Sequence, residues 1–194
     1  MKVLVIYTHP NPESFNHALL QTVVKGLKEA KHQVKEKDLY SLGFNPVLTG
    51  DDLKNIADGN VPEDIKPEHA DILWADSLIF IYPIWWYDRP ALLKGWIDRV
   101  FSDGFAFKYG DKGPEGLLKH NKALVITTLG STEEMFDQLR PGDKETLKTS
   151  MVNGTLKFCG LKNVDYKSYY GIPFITEEAR KGILEEIFLL AKNF

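Results

Sequence analysis

Apolar and polar positions follow two periods along this chain. Val3–Tyr7, Ser77–Tyr82 and Ala123–Thr128 are continuous apolar or small-residue runs, the pattern of parallel strands covered on both faces. Leu19, Leu20, Val23, Val24 and Leu27 recur at helical spacing, and Ser14 stands where the N-cap of that helix belongs. Gln33–Leu39 reads as a second strand. Gly43–Pro67 is broken by Pro46, Gly50, Gly59 and Pro62, with a short helix near Leu53–Ala57, and Pro67–Ala75 is helical. Pro90 suits the first turn of a helix whose stripe is Leu93, Trp96, Ile97, Val100 and Phe101. Lys144–Phe158 predicts a helix stopped at Gly160, Val164–Gly171 a fifth strand, and Thr176 the cap of a last helix.

Strands alternating with helices over short connections, joined by right-handed crossovers, predict a doubly wound α/β fold. The expectation is a single domain over residues 1–194, with a five-stranded parallel sheet of order 2-1-3-4-5 and helices on both faces. In such sheets ligands bind outside the carboxyl ends of the strands where the order reverses, here between the first and third strands.

Composition narrows the class. The 194 residues carry a net charge of −3, which argues against a nucleic-acid or membrane surface. A single cysteine, Cys159, excludes an intrachain disulfide framework and a Cys-rich zinc site, and fits a reducing cytoplasm. The apolar run at the N-terminus is too short for a secretory segment or a membrane span, so a cytoplasmic protein without membrane insertion is expected. His17, His32, His69 and His120 show no metal-ligand spacing and read as surface or helix residues. The lysine-rich stretch 31–38 reads as a solvated turn and strand edge.

Three loops fall at the predicted ligand end. Residues 8–16 join a strand to a helix N-terminus, whose N–H groups favour an anion, with His9, Ser14 and Asn16 adding donors. This is no glycine-rich nucleotide cradle: G-x-G-x-x-G and a Walker lysine are absent. Residues 82–90, "YPIWWYDRP", place Ile84, Trp85, Trp86 and Tyr87 in a row after a strand; such a run packs in a core, in a subunit contact, or against a flat ring. Residues 127–132, "TTLGST", offer small side chains and a glycine that lets a ligand approach the backbone. Together the loops describe a slot with an anion site, an aromatic wall and a backbone floor, a shape that suits a flavin. Peptide N–H groups near Trp85 and Thr128 are the expected stabilisers of negative charge on its reduced ring.

At these loops the sequence resembles the NAD(P)H:quinone oxidoreductase family, flavodoxin-like flavoproteins that include DT-diaphorase and its short bacterial relatives. The match runs nearly end to end, through His9, Ser14, Phe15 and Asn16, the string "PALLKGWIDRVF", "DKGP", "ITT" with a following Gly-Ser, and "FCGL". The resemblance implies a homodimer binding FAD or FMN, one per subunit, with NAD(P)H as co-substrate and a quinone-like acceptor. It implies phosphate-loop contacts at His9, Ser14, Phe15 and Asn16. It implies isoalloxazine contacts at Pro83, Ile84, Trp85, Trp86, Thr127, Thr128 and Gly130. Asp98 and Arg180 match positions near an FAD adenine, some of which reach across the dimer. Tyr109 matches a loop bordering the partner's substrate pocket, so Trp85, Thr128 and Tyr109 are the residues expected at the chemistry.

The resemblance has departures. Leu129 replaces the first of two glycines that follow the paired threonines in the diaphorase branch. Phe136 stands nearest the tyrosine of the family's proposed proton relay, and no histidine follows His120. Glu13 lies in the phosphate loop where a neutral residue is usual, so its carboxylate is expected to point away. The implied activity is two-electron hydride transfer by a ping-pong mechanism. Two other readings stay open: an FMN electron-transfer module, and a regulatory flavoprotein subunit of a potassium-efflux system.

Overall fold

The computed structural model describes residues 1–139 and 144–194. Its central sheet has five parallel strands, in the order β2 (Gln33–Asp38), β1 (Lys2–Tyr7), β3 (Ser77–Pro83), β6 (Lys122–Thr128), β7 (Val164–Tyr169). With the hairpin β4 (Phe107–Gly110) and β5 (Gly113–Gly116) set aside, this is the 2-1-3-4-5 order that the alternation of elements predicts. All residues of β3 are buried, because β1 and β6 flank it and helices cover both its faces.

Alternate positions of the strands feed two cores. Leu4, Ile6, Leu78, Phe80 and Val125 pack with residues of α3 (Lys66–Trp74), α4 (Ala91–Val100), and the run from α6 (Lys144–Met151) into a π-helix (Val152–Lys157). Val3, Val5, Ile79, Ile81, Leu124 and Ile126 pack with α1 (Phe15–Glu29) and α7 (Glu177–Lys192). Each fully buried aliphatic side chain contributes about 1.5–3 kcal/mol, so the period-2 pattern alone holds the layers together. Two shorter helices complete the chain, α2 (Gly50–Ala57) and α5 (Glu133–Leu139). A capping box between Thr49 and Asp52 starts α2.

Three local expectations change, and His69, expected at the surface or in a helix, is a helix residue. Lys37 is not solvated: it is buried on β2 and pairs with Glu68 and Asp71 of α3 at 2.8 Å each. Glu68 also accepts a hydrogen bond from Trp96 Nε1 at 2.6 Å, so the ammonium is neutralised where apolar neighbours exclude water. His69 is buried as well, stacked on Phe105 at 3.4 Å and bonded through Nε2 to the Val100 carbonyl at 2.8 Å. The helix expected over 144–158 becomes a π-helix from Val152, where the Thr155 hydroxyl donates to the carbonyl of Ser150, five residues back. Helix α5 has no counterpart in the sequence reading.

The long irregular stretch is tied down from α4. Arg99 reaches Asp52, Asp64 and the Asn45 carbonyl, between 2.6 and 3.2 Å. Gly95 allows this approach: a Cβ there would lie 2.1 Å from the Pro46 carbonyl oxygen. No helix among the described residues is long and apolar enough to cross a membrane, and no cluster among them could hold a metal ion.

Candidate functional site

The site is built where β1, β3 and β6 end. After β1 the chain passes through residues 8–14 and enters α1, with Ser14 as N-cap: its Oγ accepts from the His17 N–H at 3.1 Å. The N–H groups of Phe15 and Asn16 lie in the first turn, where no helical carbonyl precedes them, and α1 has no acidic residue there. The result is an anion cradle made of dipoles and hydroxyls rather than charges. His9 at its rim accepts from the Asn11 N–H at 3.0 Å, and burial pushes its imidazole below the ordinary histidine range, so it is neutral at pH 7. Glu13 is exposed.

Asn16 joins the cradle to β6. It is 5 % exposed and donates from Nδ2 to Thr128 Oγ1 at 2.7 Å. Thr128 lies on the α1 face of β6 because its neighbour two back, Ile126, belongs to that core. Thr127 faces the other way, with its hydroxyl 2.9 Å from Ser168 Oγ and 3.1 Å from Tyr166 Oη, so only its backbone is offered to the slot.

The aromatic loop closes the far side. Ile84 N–H donates to the Thr128 carbonyl at 2.8 Å. Trp85 and Asp88 then exchange two backbone hydrogen bonds, 2.9 and 3.0 Å. Between them Trp86 and Tyr87 have φ of +51° and +62°. This is a type I′ turn, which normally takes Asn-Gly. Each bulky residue in that region costs about 1–2 kcal/mol, so the surroundings must hold it. Its twist sends the four aromatic and aliphatic residues in different directions. Trp85 is 40 % exposed and leans on His9, ring centroids 5.7 Å apart. Trp86 is 97 % exposed. Tyr87 packs inward on Phe136 at 5.3 Å, in a small cluster with Leu129, Leu147, Ile84 and Tyr170.

The Trp85 N–H itself donates to the Asp88 carbonyl at 2.9 Å and is not offered to a ligand. The N–H groups of Trp86 and Gly130 make no backbone hydrogen bond among the described residues, and they are the available donors. Nothing in the sequence signalled this, since Trp-Tyr carries no turn preference. Asp98 and Arg180 do not meet in one chain. Asp98 is exposed on α4 and paired with Lys94 at 2.6 Å, whereas Arg180 lies at the start of α7, on the opposite face, donating to the Ile172 carbonyl at 2.8 Å. Tyr109 stands on the β4–β5 hairpin, 72 % exposed, and touches Phe107 rather than the slot.

The residues fit a flavin on observations of the protein itself. Among the described residues Asn16 Oδ1 and His17 Nδ1 are buried without partners, an acceptor and a ring nitrogen at the cradle that a ligand hydroxyl would satisfy. Gly130 is required by neither its φ nor its neighbours: a Cβ there would meet nothing within 4 Å. Its openness matters only to something that lies against it.

Comparisons with known proteins identify the family. A family model described as flavodoxin-like fold matches residues 1–188. An uncharacterized NAD(P)H oxidoreductase of Haemophilus influenzae is 37 % identical over 186 residues, covering 95 % of this chain and 91 % of the relative. The ribosyldihydronicotinamide dehydrogenase [quinone] of Mus musculus is 34 % identical, covering 94 % of this chain and 87 % of the relative. The solved NAD(P)H:quinone oxidoreductase of Methanothermobacter marburgensis superposes with a TM-score of 0.88 at 34 % identity, over 100 % of this chain and 96 % of that one. The chain belongs to the flavodoxin-like NAD(P)H:quinone oxidoreductase family.

Proposed function

We propose that this protein is a flavin-dependent NAD(P)H:quinone oxidoreductase, acting as a homodimer with FAD or FMN in each subunit. The observation that carries the reading is the convergence at Asn16: a buried amide that ties the anion cradle to the β6 floor and keeps one acceptor unpartnered. When bound, the flavin would accept a hydride from NAD(P)H and pass it to a quinone-like acceptor in a ping-pong cycle.

The chain's own residues bind, orient and exclude water. Ser14, Phe15 and Asn16 would hold a phosphate through N–H groups and the helix dipole, with neutral His9 at the rim. Pro83, Ile84 and Trp85 would form the wall of the ring site, Thr127, Thr128 and Gly130 its floor. The N–H groups of Trp86 and Gly130 would face the developing negative charge; preorganised donors in a dry site act without reorganisation. Trp86, standing fully exposed, would lie against the acceptor or nicotinamide. Tyr109 and Asp98 would serve the slot of a partner subunit, since their own chain holds them away from its slot. Arg180, at the carboxyl end of the sheet, would approach the outer part of an FAD.

The test is flavin retention. Protein purified in the presence of flavin should hold one flavin per chain, and Trp85→Ala or Asn16→Ala should weaken retention. Equal retention by both variants would mean the slot lies elsewhere.

A further inference from the structure

The aromatic turn holds two bulky residues at positive φ in succession, and something outside the turn must keep it so. The residue that follows it is Arg89. Its side chain is only 6 % exposed. Its Nη1 donates to Thr155 Oγ1 at 3.2 Å and lies 3.5 Å from Met151 Sδ; its Nη2 donates to Ser150 Oγ. Its Nε points at the Asp88 carboxylate, 3.3 Å away, and the same Asp88 oxygen accepts the Arg89 N–H at 2.7 Å. One guanidinium therefore spans the end of the turn and the junction between α6 and the π-helix.

The charge is poorly compensated. Among the described residues Asp88 is its only acidic contact, and that carboxylate is 60 % exposed, where water screens it. The other charged groups nearby, Glu145 and Lys148 of α6, pair with each other at 3.3 Å.

We propose that Arg89 is the positioning residue of the aromatic turn: it pins the turn to the α6–π-helix junction and holds one positive charge at the foot of the turn. The inference rests on the flavin reading above. It explains why a strained Trp-Tyr pair is stable where Asn-Gly would be expected. It also explains the use of an arginine: a planar fork with five donors can span two hydroxyls and a carboxylate at once, and a lysine cannot. The positive charge favours the more anionic, reduced state of whatever ring the turn carries.

Three variants test this in the whole chain. Near-ultraviolet circular dichroism of the flavin-free protein reports the tryptophan turn, and the midpoint potential of bound flavin reports the charge. Arg89→Met should lose the turn's tryptophan signal and lower the midpoint by about 30 mV, the equivalent of a tenfold loss of affinity for reduced over oxidised flavin in a two-electron couple. Arg89→Lys should recover most of the potential but not the tryptophan signal. The double variant Ser150→Ala with Thr155→Val should behave like Arg89→Lys, loosening the turn while keeping the charge. An Arg89→Met protein with the parent's spectrum and midpoint would overturn the proposal. If that variant fails to fold, an unchanged tryptophan spectrum in the double variant overturns it equally. If the parent binds no flavin, the functional reading fails, while the flavin-free spectra still decide the clamp.

Discussion

Asn16→Leu separates a residue kept for the fold from one kept for a ligand. Two opposing effects are expected in the flavin-free protein. The hydrogen bond from Nδ2 to Thr128 Oγ1, at 2.7 Å, is lost, at a net cost of about 0.5–1.5 kcal/mol. The unpartnered Oδ1, in a residue 5 % exposed, disappears with it, which relieves about 1–3 kcal/mol of desolvation penalty. The sum is near zero or slightly stabilising. Flavin affinity should move the other way: losing the acceptor and the tie to the floor should weaken binding about 10–100-fold, or roughly 1.4–2.8 kcal/mol. Urea unfolding of the flavin-free protein reads the first term, and quenching of flavin fluorescence on titration reads the second. A variant destabilised by more than ~2 kcal/mol that binds flavin as tightly as the parent would refute the reasoning, because Asn16 would then be a purely structural residue.

Other expectations follow from the same geometry. Gly130→Val should leave flavin-free stability unchanged within about 1 kcal/mol, since no φ or neighbour requires glycine, yet it should lower flavin affinity by filling the slot; equal affinity by titration would mean that nothing lies against Gly130. Trp86→Ala removes a side chain that is 97 % exposed, so the urea midpoint should shift by less than ~0.5 kcal/mol equivalent while KM for the quinone rises more than kcat falls; a large stability loss would contradict the exposed placement. Burial holds His69 and His120 below the ordinary histidine value of 6.5, so the unfolded chain binds more protons than the folded one as pH falls below that value. Stability should therefore decline between pH 7 and 5, and His69→Phe should flatten that slope in urea unfolding at several pH values. An unchanged slope would remove His69 from the account.

The fold was legible because burial writes itself into period. The short runs at Val3–Tyr7, Ser77–Tyr82 and Ala123–Thr128 match strands covered on both faces, and the Leu19–Leu27 pattern matches one face of a helix. The string around Leu92–Phe101 is specific for a reason that concerns packing. Gly95 admits Pro46, Trp96 bonds to Glu68, and Arg99 ties down Asp52 and Asp64. The three loops that the sequence groups together do lie at the ends of β1, β3 and β6.

Side-chain direction was less legible. The sequence treats Thr127 and Thr128 as one motif, but strand alternation sends the first hydroxyl to Ser168 and the second to Asn16. It treats Trp85 and Trp86 as one wall, but the I′ turn separates them. That turn depends on Arg89, Ser150 and Thr155, which lie about sixty residues apart, and no local pattern encodes a contact of that range. Lys37 fails for the same reason: its partners Glu68 and Asp71 belong to another element, and composition alone makes a lysine-rich strand look solvated.

The central claim is that the slot between α1, the aromatic turn and β6 holds a flavin that NAD(P)H reduces before the acceptor arrives. The direct test is anaerobic addition of one equivalent of NAD(P)H to flavin-loaded protein, followed in the visible absorbance without any quinone. The account predicts that the oxidised-flavin band disappears, and that it returns when quinone is then added. A band that persists until quinone is present would contradict alternation in one slot, and a protein that takes up no flavin would contradict the account as a whole.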